Sequence, residues 1–118
     1  MPSQGAIVLI PVPFTDLTAL KRRPVIVVSN DAYQQATPDM IVVAMTSNPT
    51  YQQYTFMITT ADLIGGDLNR PGFVRVDKIY TLAQSLVVKT FGRVNPATIE
   101  RIRAQLQEVT ARTSEPPH

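Results

Sequence analysis

Apolar, β-branched residues come in short runs separated by turn formers, and each run is too short for a helix of ordinary length. Ala6 to Pro13 reads as a first strand, Thr15 to Arg22 as a polar loop, and Val25 to Ser29 as a second strand. Pro11 and Pro13 leave one side of the first run without amide donors, which predicts a sheet edge or a strand end at an open rim. Asn30-Asp31 through Pro38-Asp39 reads as a connection of turn formers. Met40 to Thr46, ending in Ser47-Asn48-Pro49, is a third strand, and Tyr54 to Thr59 a fourth. Ile64 to Gly72, with Gly65-Gly66 and Pro71-Gly72, is expected as a loop, and Phe73 to Val76 and Leu86 to Val94 as later strands.

The period changes at Asn95-Pro96. Asn accepts from an orphan amide at a helix N-cap and Pro tolerates the first helical position. Ile99, Ile102, Leu106 and Val109 then recur at steps of three, four and three, one apolar stripe on a polar helix running to about Ala111. Arg112 to His118 holds Ser, Glu and two prolines and is expected to fray, with a tail from about residue 113. The expected class is β-rich α+β: one domain over residues 1–118, a small, strongly bent sheet or partly closed barrel with the helix covering one face.

Composition narrows the chemistry. The 118 residues include no Cys, which removes disulfides, thiolate nucleophiles and Cys-type zinc sites together and favours the cytoplasm. No apolar run approaches a bilayer span, and the N-terminus lacks the charged segment of a signal peptide, so neither a membrane nor export is expected. The single histidine, His118, is the last residue of a Pro-Pro tail, so catalysis has to run without a histidine base. No carboxylate cluster has metal-ligand spacing and no Gly-rich loop precedes a helix, so neither a metal nor another cofactor is expected. A net charge of +2 is too small to argue for nucleic acid from the whole surface. The distribution says more: Lys21-Arg22-Arg23 is a dense basic cluster, and Arg70, Arg75 and Lys78 form a looser one.

If the second and third strands pair antiparallel with Ser29 opposite Met40, opposed residue numbers sum to about 69, and Arg23 lands opposite Thr46. Pro24 biases Arg23 to extended geometry, so an arginine and a hydroxyl would share one rim. Arg75 and Asp77, two apart, leave the same face of a strand. An arginine fork fits phosphate oxygens, a carboxylate takes a proton, and a hydroxyl donates to a phosphate oxygen. These are the parts of a phosphodiester-cleaving site, although composition alone favours a surface ion pair for Arg75 and Asp77 and a turn-satisfying hydroxyl for Thr46. Tyr51, Tyr54 and Phe56 have the chemistry to stack on unpaired bases, and core packing accounts as well for Phe56.

Five fragments in order carry a resemblance: Gly5-Ala6-Ile7-Val8; Pro11 to Leu17; Lys21-Arg22-Arg23-Pro24-Val25 to Ser29; Val43-Ala44-Met45-Thr46-Ser47-Asn48; and Val74-Arg75-Val76-Asp77-Lys78 to Leu82. Together they resemble the MazF/PemK family of toxin ribonucleases from Gly5 to about Leu106, continuing through Phe91-Gly92-Arg93-Val94 into the helix. The resemblance implies an SH3-like barrel of the PemK/CcdB kind, a homodimer, and single-stranded RNA bound in a groove where the two copies meet. It also implies a MazE-like antitoxin whose tail competes for that groove, with DNA reached only indirectly through the antitoxin.

By the same resemblance Arg23 and Thr46 are the catalytic pair, and Arg75 and Asp77 take phosphate-binding and proton-transfer roles. Asp16, Lys21, Arg22, Ser47, Asn48 and Lys78 are candidate RNA contacts. The 2′-hydroxyl of the RNA is the implied nucleophile, giving a 2′,3′-cyclic phosphate and a 5′-hydroxyl without a metal. The chain departs from the family pattern at Ala6, where many members have Asp, and in the first loop, where Asp16 is the one acid. Two other readings keep the fold: a module that docks a protein target as the gyrase-poisoning toxin CcdB does, and an inactive relative kept as an antitoxin-binding corepressor. The first relies on a tryptophan near the C-terminus, and this chain has no Trp.

Overall fold

The computed structural model describes residues 1–12, 21–48 and 53–114. Pro13, Asp16, Tyr51 and His118, which figure in the sequence reading, lie outside the described residues, as does the side chain of Lys21. Among these residues seven strands form one curled sheet: β1 (Ala6–Val12), β2 (Lys21–Val27), β3 (Asp39–Thr46), β4 (Thr55–Ile58), β5 (Leu63–Gly66), β6 (Gly72–Ala83) and β7 (Lys89–Val94). Their order across the sheet is β4-β6-β3-β2-β1-β7-β5, every pairing antiparallel. A six-residue helix α1 (Asp31–Ala36) joins β2 to β3, and α2 (Pro96–Val109) follows β7.

Residues alternate between two apolar clusters because side chains in a strand alternate between faces. Ile7, Ile26, Val43, Met45, Phe56, Ile58, Val74, Val76 and Val94 fill the interior, where Ile102 of α2 joins them. Ala6, Val8, Ile10, Val25, Val27, Met40 and Val42 form the second cluster, with Tyr80 and Leu82 from the far half of β6 packed on it. The α2 stripe is placed as its period predicts: Ile102 is fully buried and Ile99 and Leu106 pack on the interior cluster, while Val109 is exposed at the helix end. Asn95 caps α2 by accepting from the Thr98 amide at 2.8 Å.

Three expectations need correction, whereas the alternative of an edge or a strand end for the first strand is met by the strand end: β1 pairs with β2 as far as Val12, but its ladder with β7 covers Ala6 to Leu9 only. Pro11 therefore sits where the second neighbour has departed, which is the strand-end solution to its missing amide. The Asn30–Asp39 connection contains α1, capped by Asn30, whose side chain accepts from the Tyr33 amide at 2.9 Å. A strand occupies the start of the expected Ile64–Gly72 loop, because Gly65 and Gly66 pair with Arg93 and Gly92 of β7. The segment Gln84–Leu86 is a 3₁₀ turn, so β7 begins only at Lys89.

β6 is longer than the expected Phe73–Val76 and is broken in register. Val43 of β3 faces Ile79 and Ala44 faces Arg75, so Val76, Asp77 and Lys78 have no opposite residue on β3. Within this bulge the Val76 amide donates to Tyr54, whose φ of 63° turns the chain into β4.

Candidate functional site

The β2–β3 ladder pairs Val25 with Ala44, Ile26 with Val43 and Val27 with Val42, the register in which opposed numbers sum to 69. It ends at Val27, for the amides of Val28 and Ser29 both donate to the Ile41 carbonyl, so Ser29 does not face Met40 as expected. At its other end the ladder stops at Val25–Ala44, two residues short of Arg23 and Thr46. Both line a cleft of about 670 Å³ at the strand ends. Arg23 is exposed and Thr46 half-buried. The Thr46 hydroxyl oxygen accepts from the Asn48 amide at 3.1 Å, which fixes the oxygen and leaves its proton to be donated elsewhere.

The same registers carry the geometry across the sheet. Thr46 pairs with Phe73 and Ala44 with Arg75, so Arg75 is a diagonal neighbour of Thr46, roughly 7–8 Å away between backbones. Arg75 donates through Nε and Nη2 to the two carboxylate oxygens of Asp77, each at 3.0 Å. This bidentate pair raises the Arg75 guanidinium above its ordinary range and, through the same hydrogen bonds, lowers the Asp77 carboxyl below its own, in each case against the cost of desolvation. Asp77 is therefore ionised at neutral pH, with both oxygens committed to Arg75.

The predicted residues divide accordingly. Arg22, Arg23, Thr46 and Ser47 line one cleft. Arg75 and Asp77 form an adjoining ion pair on β6, and the exposed Lys78 follows in the bulge. Asn48 lies beyond β3 and touches the site through its amide. Phe56 is core, and Tyr54 packs against the same cluster.

Sequence reasoning missed the far wall of the cleft, Gly66 to Gly72 and Lys89, Thr90 and Phe91. It arrives through the pairing of β7 with β1 and of β5 with β7, contacts that no local pattern encodes. The one available signal was the bare glycines at 66 and 92: a Cβ on Gly66 would lie 2.1 Å from the Phe91 carbonyl oxygen, and one on Gly92 would lie 2.3 Å from that of Gly65.

The sequence matches the family of PemK-like, MazF-like toxins of type II toxin–antitoxin systems over residues 3–110. No curated protein matches it significantly. Among solved structures, the chain is similar to an endoribonuclease in complex with its cognate antitoxin from a mycobacterial species, with TM-score 0.74 and 22% identity over 98% of this chain and 100% of that one. It is also similar to a MazE–MazF complex from Deinococcus radiodurans, with TM-score 0.74 and 23% identity over 95% and 98% of the two chains. A mycobacterial endoribonuclease aligns with TM-score 0.66 and 25% identity over 91% and 88%. The curled seven-stranded sheet with a C-terminal helix is the fold these structures share with the chain.

Proposed function

The chain belongs to the PemK-like, MazF-like toxins of type II toxin–antitoxin systems, and from that premise we propose that it is an endoribonuclease that cuts single-stranded RNA without a metal. The observation that carries the proposal is that Arg23 and Thr46 line one cleft, with Arg75 one diagonal step from Thr46 across the β3–β6 ladder. Arg23 and Thr46 then offer donors to one space fit for a phosphodiester, and the Arg75–Asp77 pair stands beside it. In the reaction the RNA's 2′-oxygen bonds to the adjacent phosphorus as the bond from phosphorus to the 5′-oxygen breaks. The 2′-hydroxyl proton leaves to a base and the 5′-oxygen gains a proton, giving a 2′,3′-cyclic phosphate and a 5′-hydroxyl.

Arg23 stabilises the crowded phosphate and stands ready to protonate the leaving oxygen, and Thr46 donates to a non-bridging oxygen. Asp77 is the candidate base. Its hydrogen bonds from Arg75 keep it in the anionic form a base requires, and the same bonds weaken its hold on a proton. Lys21, Arg22, Ser47, Asn48 and Lys78 contact the strand around this centre, with Asp16 from the first loop. The protein acts in the cytoplasm as a homodimer, inhibited by a MazE-like antitoxin. The antitoxin complexes of the similar mycobacterial and Deinococcus structures support that partner.

The test is cleavage of a mixed-sequence single-stranded RNA by the purified protein in excess EDTA, beside Arg23→Ala and a DNA copy of the strand. Fragments with cyclic-phosphate ends are expected from the wild type on RNA alone. Arg23→Ala should be slower by about a hundredfold or more, the loss of roughly 3 kcal/mol typical of a preorganised donor. Intact RNA after incubation with the folded wild type would refute the proposal.

A further inference from the structure

Within one copy of the chain, a strand held at Thr46 has two ways to continue. One crosses the sheet along the row that the registers define, Thr46, Phe73 of β6 and Met57 of β4. That row is apolar, and the cation beside it, Arg75, is neutralised by Asp77. The other passes over the strand ends into the cleft, whose lining adds the exposed cations Arg22, Arg70 and Lys89. None of these is among the ion pairs of the described residues, which are Arg75–Asp77 and Arg103–Glu100. The one carboxylate among the described residues of the lining, Asp67, accepts from the Thr60 hydroxyl at 2.9 Å.

Electrostatics separates the two routes. Among the described residues the cleft, with Arg23, sets four cations against one carboxylate, whereas the row of Thr46, Phe73 and Met57 itself carries no charged side chain. Its far wall is also preformed. The Thr60 hydroxyl oxygen accepts from the Leu68 amide at 3.1 Å, and Gly66 fits against the Phe91 carbonyl as only a glycine can. A wall that needs no ordering on binding keeps more of the contact energy. Leu68 and Phe91 supply an apolar floor, half-buried against the barrel core, and Lys89 Nζ lies 5.1 Å from the Phe91 ring centroid. A volume of about 670 Å³ falls within the roughly 300–1,000 Å³ of pockets that enclose small molecules, room for a nucleotide rather than a lone phosphate.

The geometry points to this cleft as a nucleotide subsite for the RNA flanking the scissile bond, with Arg22, Arg70 and Lys89 on its phosphates and its base over Leu68 and Phe91. This inference rests on the ribonuclease reading for the identity of the strand, and it adds residues from β7 and from the segment after β5 to those the sequence suggested.

The test measures binding of a fluorescent 2′-O-methyl RNA, which has no free hydroxyl to attack, by anisotropy across a salt series. The proteins are the wild type, Arg70→Ala, Lys89→Ala, the double variant, and Arg103→Ala as a charge-matched control on the outer face of α2. Each cleft variant is expected to weaken binding about three- to tenfold and to reduce the slope of log affinity against log salt by about 0.7 per cation removed. Arg103→Ala should bind as the wild type does. On cleavable RNA the cleft variants should raise KM with kcat retained. A double variant that binds like the wild type overturns the inference, and loss of binding in Phe73→Ala and Met57→Ala in its place would route the strand across the sheet. Since binding and cleavage are read separately, tight cation-dependent binding without cleavage would sink the ribonuclease reading alone. Cleavage that ignores Arg70 and Lys89 would sink the subsite alone.

Discussion

Two side chains on one row behave differently from what their composition suggests. Arg75 and Thr55 face each other across the β6–β4 ladder, yet Arg75 spends its donors on Asp77, and the buried Thr55 hydroxyl has no partner among the described residues. Replacing an unsatisfied buried hydroxyl by a methyl of the same shape removes a desolvation penalty of about 1–3 kcal/mol. Thr55→Val should therefore raise the midpoint of urea unfolding, and a lower midpoint would mean the hydroxyl is satisfied in solution. The Asp77 carboxyl, lowered by its hydrogen bonds from Arg75, stabilises the fold fully above its ordinary value near 3.8 and loses that contribution as the pH falls below it toward the folded-state value. Asp77→Asn should flatten the acid limb of stability against pH below about pH 4. An unchanged acid limb in the variant would show that the pair does not persist. At this scale the sequence was informative for the register of β2 against β3, whose pairs sum to 69 as expected even though the connection between them folds as α1. It was uninformative for Lys89 and Phe91, and it set Arg70 only in a loose basic group, because the place of all three depends on strands far apart in the chain.

Glycine decides what could be read at the level of elements. Gly65-Gly66 looks like a turn, but β5 and β7 approach so closely that side chains there would meet the opposing backbone. The two positions are not equivalent. Gly66 has a φ of 89° and no space for a Cβ, whereas Gly65 has nothing within 4 Å of one. Gly66→Ala should cost at least about 1–3 kcal/mol in strain, with the collision added, and should loosen the cleft wall that follows it. Gly65→Ala should leave denaturant stability nearly unchanged, and equal losses in the two variants would contradict the close approach. Helix α1 escaped notice because six residues are too few to display a stripe, although its cap residue Asn30 stood in plain sight. Helix α2 was legible in full, since its cap, its first-position proline and its stripe agree.

Across the described residues the sheet curls without closing, and β4 and β5 are its edge strands. α2 reaches toward both. The Asn95 amide at its start donates to the Asp62 carbonyl, the residue before β5, and the Arg101 guanidinium lies 4.0 Å from the Phe56 ring centroid on β4. Between these anchors Ile102 enters the interior cluster and is fully buried. The helix thus completes a core that the strands alone leave open, and the two must melt together. Ile102→Ala removes buried methyl groups from that junction, a change that costs roughly 2–5 kcal/mol in well-packed cores. Against a typical total of about 5–15 kcal/mol, it should lower the melting temperature by many degrees. Circular dichroism followed at a helix-dominated and a sheet-dominated wavelength should give coincident transitions in both the wild type and the variant. A helix signal lost ahead of the sheet would mean that α2 merely rests on a barrel that is stable without it.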